Sequence, residues 1–483
     1  MKKRFLAGAA AAVVAAASLS GCGENKKEED ATKISWYLSG VKQDSTYDDV
    51  FNKVNEIMEE RYGLKLNIVM TDGTNYSQKL QMMNAAQESY DLAFTSNWAN
   101  DYYTNVINGS LLDLTERLPK EAPKLYESLS NVEKESAAID GRIYAVPNWQ
   151  VQARAMGFMI PTEKLDMAGY KIDDINSFED LEKYFAAVTA IEPETNKGGG
   201  EWESAMVNYG LLAVTRVGFP GCIYYKKEGK PQIINQYDSP EFLEYAKLMK
   251  SWVEKGYLPK VHNEKDDSTK DHIVNPGAWS NWKPGVGLDI TRRAGYEILA
   301  KQISPAVLST EAIIATMTGV GANSKNPEAA LKVLEIMYTD KELYNMLSWG
   351  IEGVNYDKIS DNMISIKEGS TYTMSNWMLG SVANSFVTEG NPENIWDITK
   401  EFNDSAVVSP LLGFTLDTSE ISSELGNCEN VVKEYLDTIQ YGTGTQAPEE
   451  IIAQLNAELK VAGVDKVLTV IQKQIDEWWA ENK

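Results

Sequence analysis

Histidine is almost missing from this chain: His262 and His272 are the only two in 483 residues. That removes most general-base and metal-ligand chemistry at the outset. Cysteine is nearly as scarce, with Cys22, Cys222 and Cys428 and neither a CxxC pair nor a zinc-type spacing. Cys222 and Cys428 read as buried free thiols, the alternative being a disulfide between them outside the cell. After residue 21 no apolar run reaches the ~20 residues needed to span a bilayer. Positive charge is in deficit: 46 Lys and Arg stand against 70 Asp and Glu, for a formal charge of −24. Such a chain repels a phosphate backbone, so nucleic acid is excluded as the main partner, and polyanionic small ligands are disfavoured. Also missing are G-x-S-x-G, SxxK and a P-loop, since Gly198-Gly199-Gly200 is not followed by Lys-Ser/Thr. The acidic stretch 264–271 lacks the glycine and closing glutamate of an EF-hand loop. No metal, cofactor or catalytic residue set is therefore expected.

What is present begins with an export signal. Lys2-Lys3-Arg4 precede an apolar, alanine-rich run over residues 5–17, too short to cross a membrane. Leu19-Ser20-Gly21-Cys22 follows, with the form of a lipobox, in which Cys22 is diacylated and becomes the first residue of the exported chain. Residues 1–21 are thus expected to be a lipoprotein signal peptide, and the polar residues 22–32 a flexible tether. From Thr32 strand-like and helix-like segments alternate. Residues 33–38 (KISWYL) read as a strand, and 46–61 as a helix with Thr46 and Asp49 as a capping box. Residues 64–68 read as a strand, 76–87 as a helix, 91–95 as a strand and 98–108 as a helix. This rhythm implies an α/β fold with a parallel sheet, in which ligands sit beyond the carboxyl ends of the strands. Those ends fall at Ser39-Gly40 and Ser96-Asn97-Trp98. Farther on, 153–160 and 311–318 read as strands. Residues 177–190, 239–255 and 327–338 read as helices, as do 448–462 and 464–481, which are parted by Gly463.

Five segments carry a resemblance: 140–147 (DGRIYAVP), 276–282 (PGAWSNW), 326–356 (NPEAALKVLEIMYTDKELYNMLSWGIEGVNY), 413–417 (GFTLD) and 459–478. Their order and spacing resemble those of the bacterial extracellular solute-binding proteins of ABC importers. The likeness is to the carbohydrate-binding family 1 group, and within it to the LipO-type lipoproteins with their characteristic C-terminal region. It implies a two-lobed, hinge-linked periplasmic-binding-protein fold of the type II kind, with ligand in the interlobe cleft. It implies crossings near 148–152, 303–311 and 353–360. The first lobe would hold residues 33–149 plus 305–355, and the second 150–304 plus 356–483 with the C-terminal helices. The implied function is capture of a carbohydrate, in the first instance an oligosaccharide, and its delivery to the membrane permease of an ABC importer. The protein would be a lipid-anchored monomer on the outer face of the cytoplasmic membrane, held to the bilayer through Cys22. A surface-anchored carbohydrate-active enzyme and a binder of another polar solute, such as a peptide, are the alternatives.

Twelve tryptophans suit that reading, because an aromatic ring stacks on the C–H face of a sugar while polar side chains bind its hydroxyls. Trp98, Trp149, Trp279, Trp282 and Trp377 lie in polar or Gly/Pro-containing stretches near expected strand ends or crossings and are the stacking candidates. Trp36, Trp252, Trp478 and Trp479 lie in regular elements and read as packing residues. Ser39, Asn97, Asn100, Asp101, Gln150, Gln152, Asp289 and Glu352 are the candidate hydrogen-bonding groups, with core packing or helix capping as the competing role for each.

Overall fold

The computed structural model describes residues 31–193, 199–214, 219–260 and 278–483. The expected signal peptide with Cys22, nearly all of the tether, His262, His272 and the 264–271 stretch lie outside the described residues.

β1 (Thr32–Ser39) buries Ile34, Trp36 and Leu38 on one face, the period-two pattern of a covered strand. α1 (Thr46–Tyr62) lays Val50, Phe51, Val54 and Met58 over it and stops at Gly63, whose φ of 65° is the left-handed conformation glycine adopts without strain. The expected Thr46–Asp49 capping box does not form. Ser45 holds the N-cap position, and Asp44 accepts from the Thr46 amide at 2.9 Å. β2 (Leu64–Thr71), α2 (Gly73–Ala85), β3 (Leu92–Thr95) and α3 (Tyr102–Ile107) follow. β2, β1 and β3 are parallel neighbours; Met317–Val320 then pairs antiparallel with β3 and with Ala145–Pro147, closing a five-stranded mixed sheet.

A second body is built on the antiparallel strands Ala278–Trp282, Ala155–Pro161 and Ile298–Gln302. Helices Phe178–Ile191, Pro240–Glu254, Ser422–Gln440, Pro448–Ala462 and Val464–Asn482 bury their apolar faces in its core. Cys222 and Cys428 are unbonded and buried there, and burial pushes the Cys428 thiol up to about 11. The two bodies have separate cores, one drawn from residues 34–146, 314–347 and 372–379, the other from 156–307 and 411–475.

Between them the chain crosses at 148–154 and 304–316. Arg154 and Val307 exchange both backbone hydrogen bonds at 2.8 Å. A small apolar cluster of Ala153, Ala155, Ala306, Leu308, Ile313, Phe402, Ala406 and Leu412 packs around the junction. Asn403 fastens the first crossing: its Oδ1 accepts from the amides of Gln152 and Ala153 at 2.8 and 3.1 Å, and its Nδ2 donates to the Gln150 carbonyl at 2.8 Å.

Two expectations fail here. Residues 311–318 do not form one strand. Ser309 caps a helical turn, Thr310–Ile313, and the strand starts only at Met317. The run is buried throughout most of its length, so its apolar character does not separate strand from helix. The expected third crossing at 353–360 is instead part of a small sheet of Tyr356–Lys358, Met363–Ile366 and Val387–Thr388. Tyr372, Met374, Met378 and Leu379 then return to the first core, so the chain leaves that lobe only after Leu379. Among the described residues, no helix is long and apolar enough to cross a membrane.

Candidate ligand-binding site

The turn after β3 is built to hold a tryptophan outward. Ser96 Oγ accepts from the amides of Trp98 and Ala99 at 3.2 and 2.8 Å. Asn100 takes a φ of 48°, which asparagine tolerates better than most residues. Its amide group donates to the Phe94 carbonyl and accepts from Asn105, both at 2.9 Å. Asp101 caps α3 by accepting from the Thr104 amide at 2.8 Å. The helix thus starts at Tyr102, not at Trp98 as the sequence suggests. Trp98 is left 55% exposed, its indole N–H donating to the Ala315 carbonyl at 2.8 Å. Its ring leans on Phe94 (centroids 5.7 Å apart) and Trp377 (6.2 Å).

Trp98 and Asn97 form one wall of a cavity of about 460 Å³ that runs between the lobes. The opposite wall comes from Glu203, Met206, Val207, Leu212, Ala213, Asn281 and Glu429, and the crossings supply Arg154, Ser309 and Glu311. Asn97 Nδ2 spans to Glu311, 2.9 Å from its carbonyl and 2.5 Å from its carboxylate. Arg154 pairs with Glu203 at 3.2 Å. Burial raises the Glu311 carboxyl above the usual range, against the Asn97 hydrogen bond that lowers it. Burial likewise raises Glu203, with Arg154 opposing. The cleft therefore holds one aromatic face, several hydrogen-bonding groups, and three carboxyls around one guanidinium. Apolar surface with a few convergent polar groups is the usual make-up of a small-ligand pocket, and the volume falls in the usual ~300–1,000 Å³ range.

The other expected site residues lie elsewhere. Trp279 is 2% exposed, packed at 5.3 Å on Phe178 and 6.0 Å on Trp252 in the second core, because Gly200 leaves room for its ring. Trp282 is half-buried over Gly157 and against Phe402 at 5.3 Å. Neither ring lines the cavity. Trp377 belongs to the first lobe, not the second, and supports Trp98 from the side. Asn100 is 1% exposed and bound within the turn. Gln152 is buried and donates to Glu133 at 2.7 Å; Gln150 ties the two crossings together by donating to Thr316 Oγ1 at 3.1 Å. Trp149 is half-buried at the first crossing, its carbonyl accepting from the Val382 amide at 2.9 Å. Asp289 pairs with Lys283 at 3.0 Å and Glu352 with Lys358 at 3.3 Å, both outside the cavity. Ser39 ends β1, half-buried beside Gly73 and not on the cavity wall. Sequence reasoning missed Arg154, Glu203, Asn281, Ser309, Glu311 and Glu429. Arg154, a lone cation in a crossing, carried the only local signal; the others come from distant segments joined by the fold.

Comparison with known proteins bears on this geometry. A model described as bacterial extracellular solute-binding protein matches residues 39–343, and a domain of unknown function, DUF3502, matches residues 410–480. A carbohydrate ABC transporter substrate-binding protein of Streptococcus pneumoniae serotype 4 is 28% identical over 503 residues, spanning 100% of this chain and 99% of the relative. The crystal structure of the N-glycan transport solute-binding protein NgtS from Streptococcus pneumoniae superposes with a TM-score of 0.83 at 27% identity, covering 94% of this chain and 100% of that one. The same protein in complex with Man5GlcNAc gives 0.72 at 27% identity, over 94% and 99% of the two chains. In complex with Man1GlcNAc it gives 0.75 at 26% identity, over 92% and 99%.

Proposed function

The chain belongs to the bacterial extracellular solute-binding protein family, and on that premise we propose that it captures a neutral oligosaccharide between its lobes and hands it to the permease of an ABC importer. The observation that carries the reading is the interlobe cavity itself, where Trp98 and Asn97 of one lobe face Asn281, Glu203 and Glu429 of the other. A ligand that touches both walls stabilises the closed arrangement over the open one, which is the requirement for closure. The chain's formal charge of −24 disfavours uronic or sialic acids and leaves uncharged sugars as the matching class. Lipidation at Cys22 would hold the protein at the outer membrane face, since two acyl chains suffice for stable anchoring. Cys22→Ala is then expected to appear in the soluble fraction or as unprocessed precursor.

The test is a thermal-shift and calorimetry screen over neutral and acidic glycans, with Man1GlcNAc and Man5GlcNAc among the first probes. A ligand at 100 times its Kd stabilises by about 2.7 kcal/mol, which such a screen resolves. Neutral glycans are expected to bind and to be recovered intact. Release of shorter products from the bound glycan would establish the enzyme alternative instead, and silence across the whole panel would remove the carbohydrate reading.

A further inference from the structure

The capture reading gives residues 410–480, the match to a domain of unknown function, a part in binding only through Glu429. A second cavity, of about 340 Å³, lies between α3 and the helix Ser422–Gln440. Asp101, Tyr103 and Thr104 line it on the first-lobe side, and Thr418, Ser422 and Gly426 on the C-terminal side. Asn97, Glu311 and Glu429 line both cavities, so the two chambers meet at those three side chains. The Tyr103 hydroxyl is buried at the chamber wall, beside Thr415 and the Glu311 carboxyl. Ile107, also on the wall, is 64% exposed.

Gly426 is informative for a different reason. It sits inside a 19-residue helix, a position where glycine is disfavoured relative to alanine. A Cβ there would meet no atom within 4 Å, so packing does not demand the glycine. Ser422, Gly426 and Glu429 fall on one helix face, and the missing side chain enlarges the space in front of that face.

We infer that this chamber receives the distal sugar residues of a longer neutral glycan, and that the C-terminal region thereby sets the length of glycan the protein accepts. The inference rests on the carbohydrate-capture reading above. A pyranose presents hydroxyls to Tyr103, Thr418 and Ser422 and a C–H face to Ile107. Nothing in the chamber demands a particular sugar, so the selection is by reach.

The experiment compares two probes, Man1GlcNAc and Man5GlcNAc, by calorimetry on the full chain, on Gly426→Trp and on Thr418→Trp. The second variant fills the chamber from a loop and serves if the helix substitution does not fold. Gly426→Ala, which adds only a methyl group, reports whether the helix tolerates a side chain. In the Trp variants the affinity for Man5GlcNAc is expected to fall by at least about tenfold, while that for Man1GlcNAc changes by less than about twofold. Equal loss for both probes, or no loss for either in a folded variant, overturns the inference and leaves the capture reading standing. Failure of the unaltered protein to bind either probe or any glycan of the panel overturns the capture reading, and the inference with it.

Discussion

In the first lobe Trp98, propped by Trp377, faces the cleft at the end of the sheet, while in the second Trp202, Trp252 and Trp279 are fully buried. The second core is an aromatic lattice in which Phe178, Phe185, Tyr245 and these three indoles make edge-to-face and tilted contacts at 5.0–6.3 Å. The first core also buries an indole, Trp36 of β1, so it is the position of Trp98 in the turn after β3 that leaves a ring available to a ligand. The lesson is that tryptophan number says little about a sugar site. What counts is whether a neighbouring glycine opens the core to the ring, as Gly200 does for Trp279, or a turn holds the ring out, as Ser96 and Asn100 do for Trp98.

The largest way to break this comparison is to remove residues 448–483. Leu455, Leu459, Val467, Ile471 and Ile475 are fully buried in the second core, and each is worth about 1.5–3 kcal/mol of burial. Against a net stability of ~5–15 kcal/mol, the truncated chain is expected to lose the cooperative transition of the second lobe. A melting curve that matches the full chain would mean these helices are not part of that core. Next in size is Trp279→Ala, expected to cost about 3–5 kcal/mol in denaturant titration, whereas Trp98→Ala costs less than about 1 kcal/mol. If the two variants melt alike, the buried and exposed roles assigned to the rings are wrong.

On affinity the order reverses. Trp98→Ala is expected to weaken glycan binding about threefold to tenfold with the fold intact, the worth of one stacked ring. Calorimetry on that variant decides whether the exposed indole is a contact or a bystander.

The smallest effect belongs to Glu311, which sits between the lobes. Its raised carboxyl pKa means the native state keeps a proton that the unfolded chain has already lost. Stability contributed by this group is therefore present at low pH and lost as pH rises through the raised value. Glu311→Gln removes that loss, so the Tm of the variant relative to the parent should climb over the interval above the ordinary carboxylate value. A difference that is flat or falling over that interval contradicts the raised pKa.

Local order was largely legible. The helix expected from residue 177 starts there, with Ser177 accepting from the Asp180 amide at 3.1 Å, and Gly463 parts the last two helices as expected. Legibility ended where tertiary context chose between local options. Residues 311–318 could be turn or strand, and Ser309, outside that window, settled it as a turn. Of the expected site residues, Asn97 and Trp98 line the main cavity, because strand ends in such sheets face the ligand whatever the rest of the chain does. Glu203, Asn281, Glu311 and Glu429 had no such rule behind them. They belong to four separate segments, and only the assembled lobes make them neighbours.

Asn403 holds three backbone groups of one crossing with a single amide, and Gln150 links that crossing to Thr316 in the other. The two connecting segments are thereby geared: neither can twist freely while the other stays still. Motion of one lobe past the other is reduced to something close to a single angle, as with a door on a pinned axle rather than a flap on a cord. A receptor that feels only that angle receives a yes-or-no signal, and reads the same message whichever cargo has shut the door.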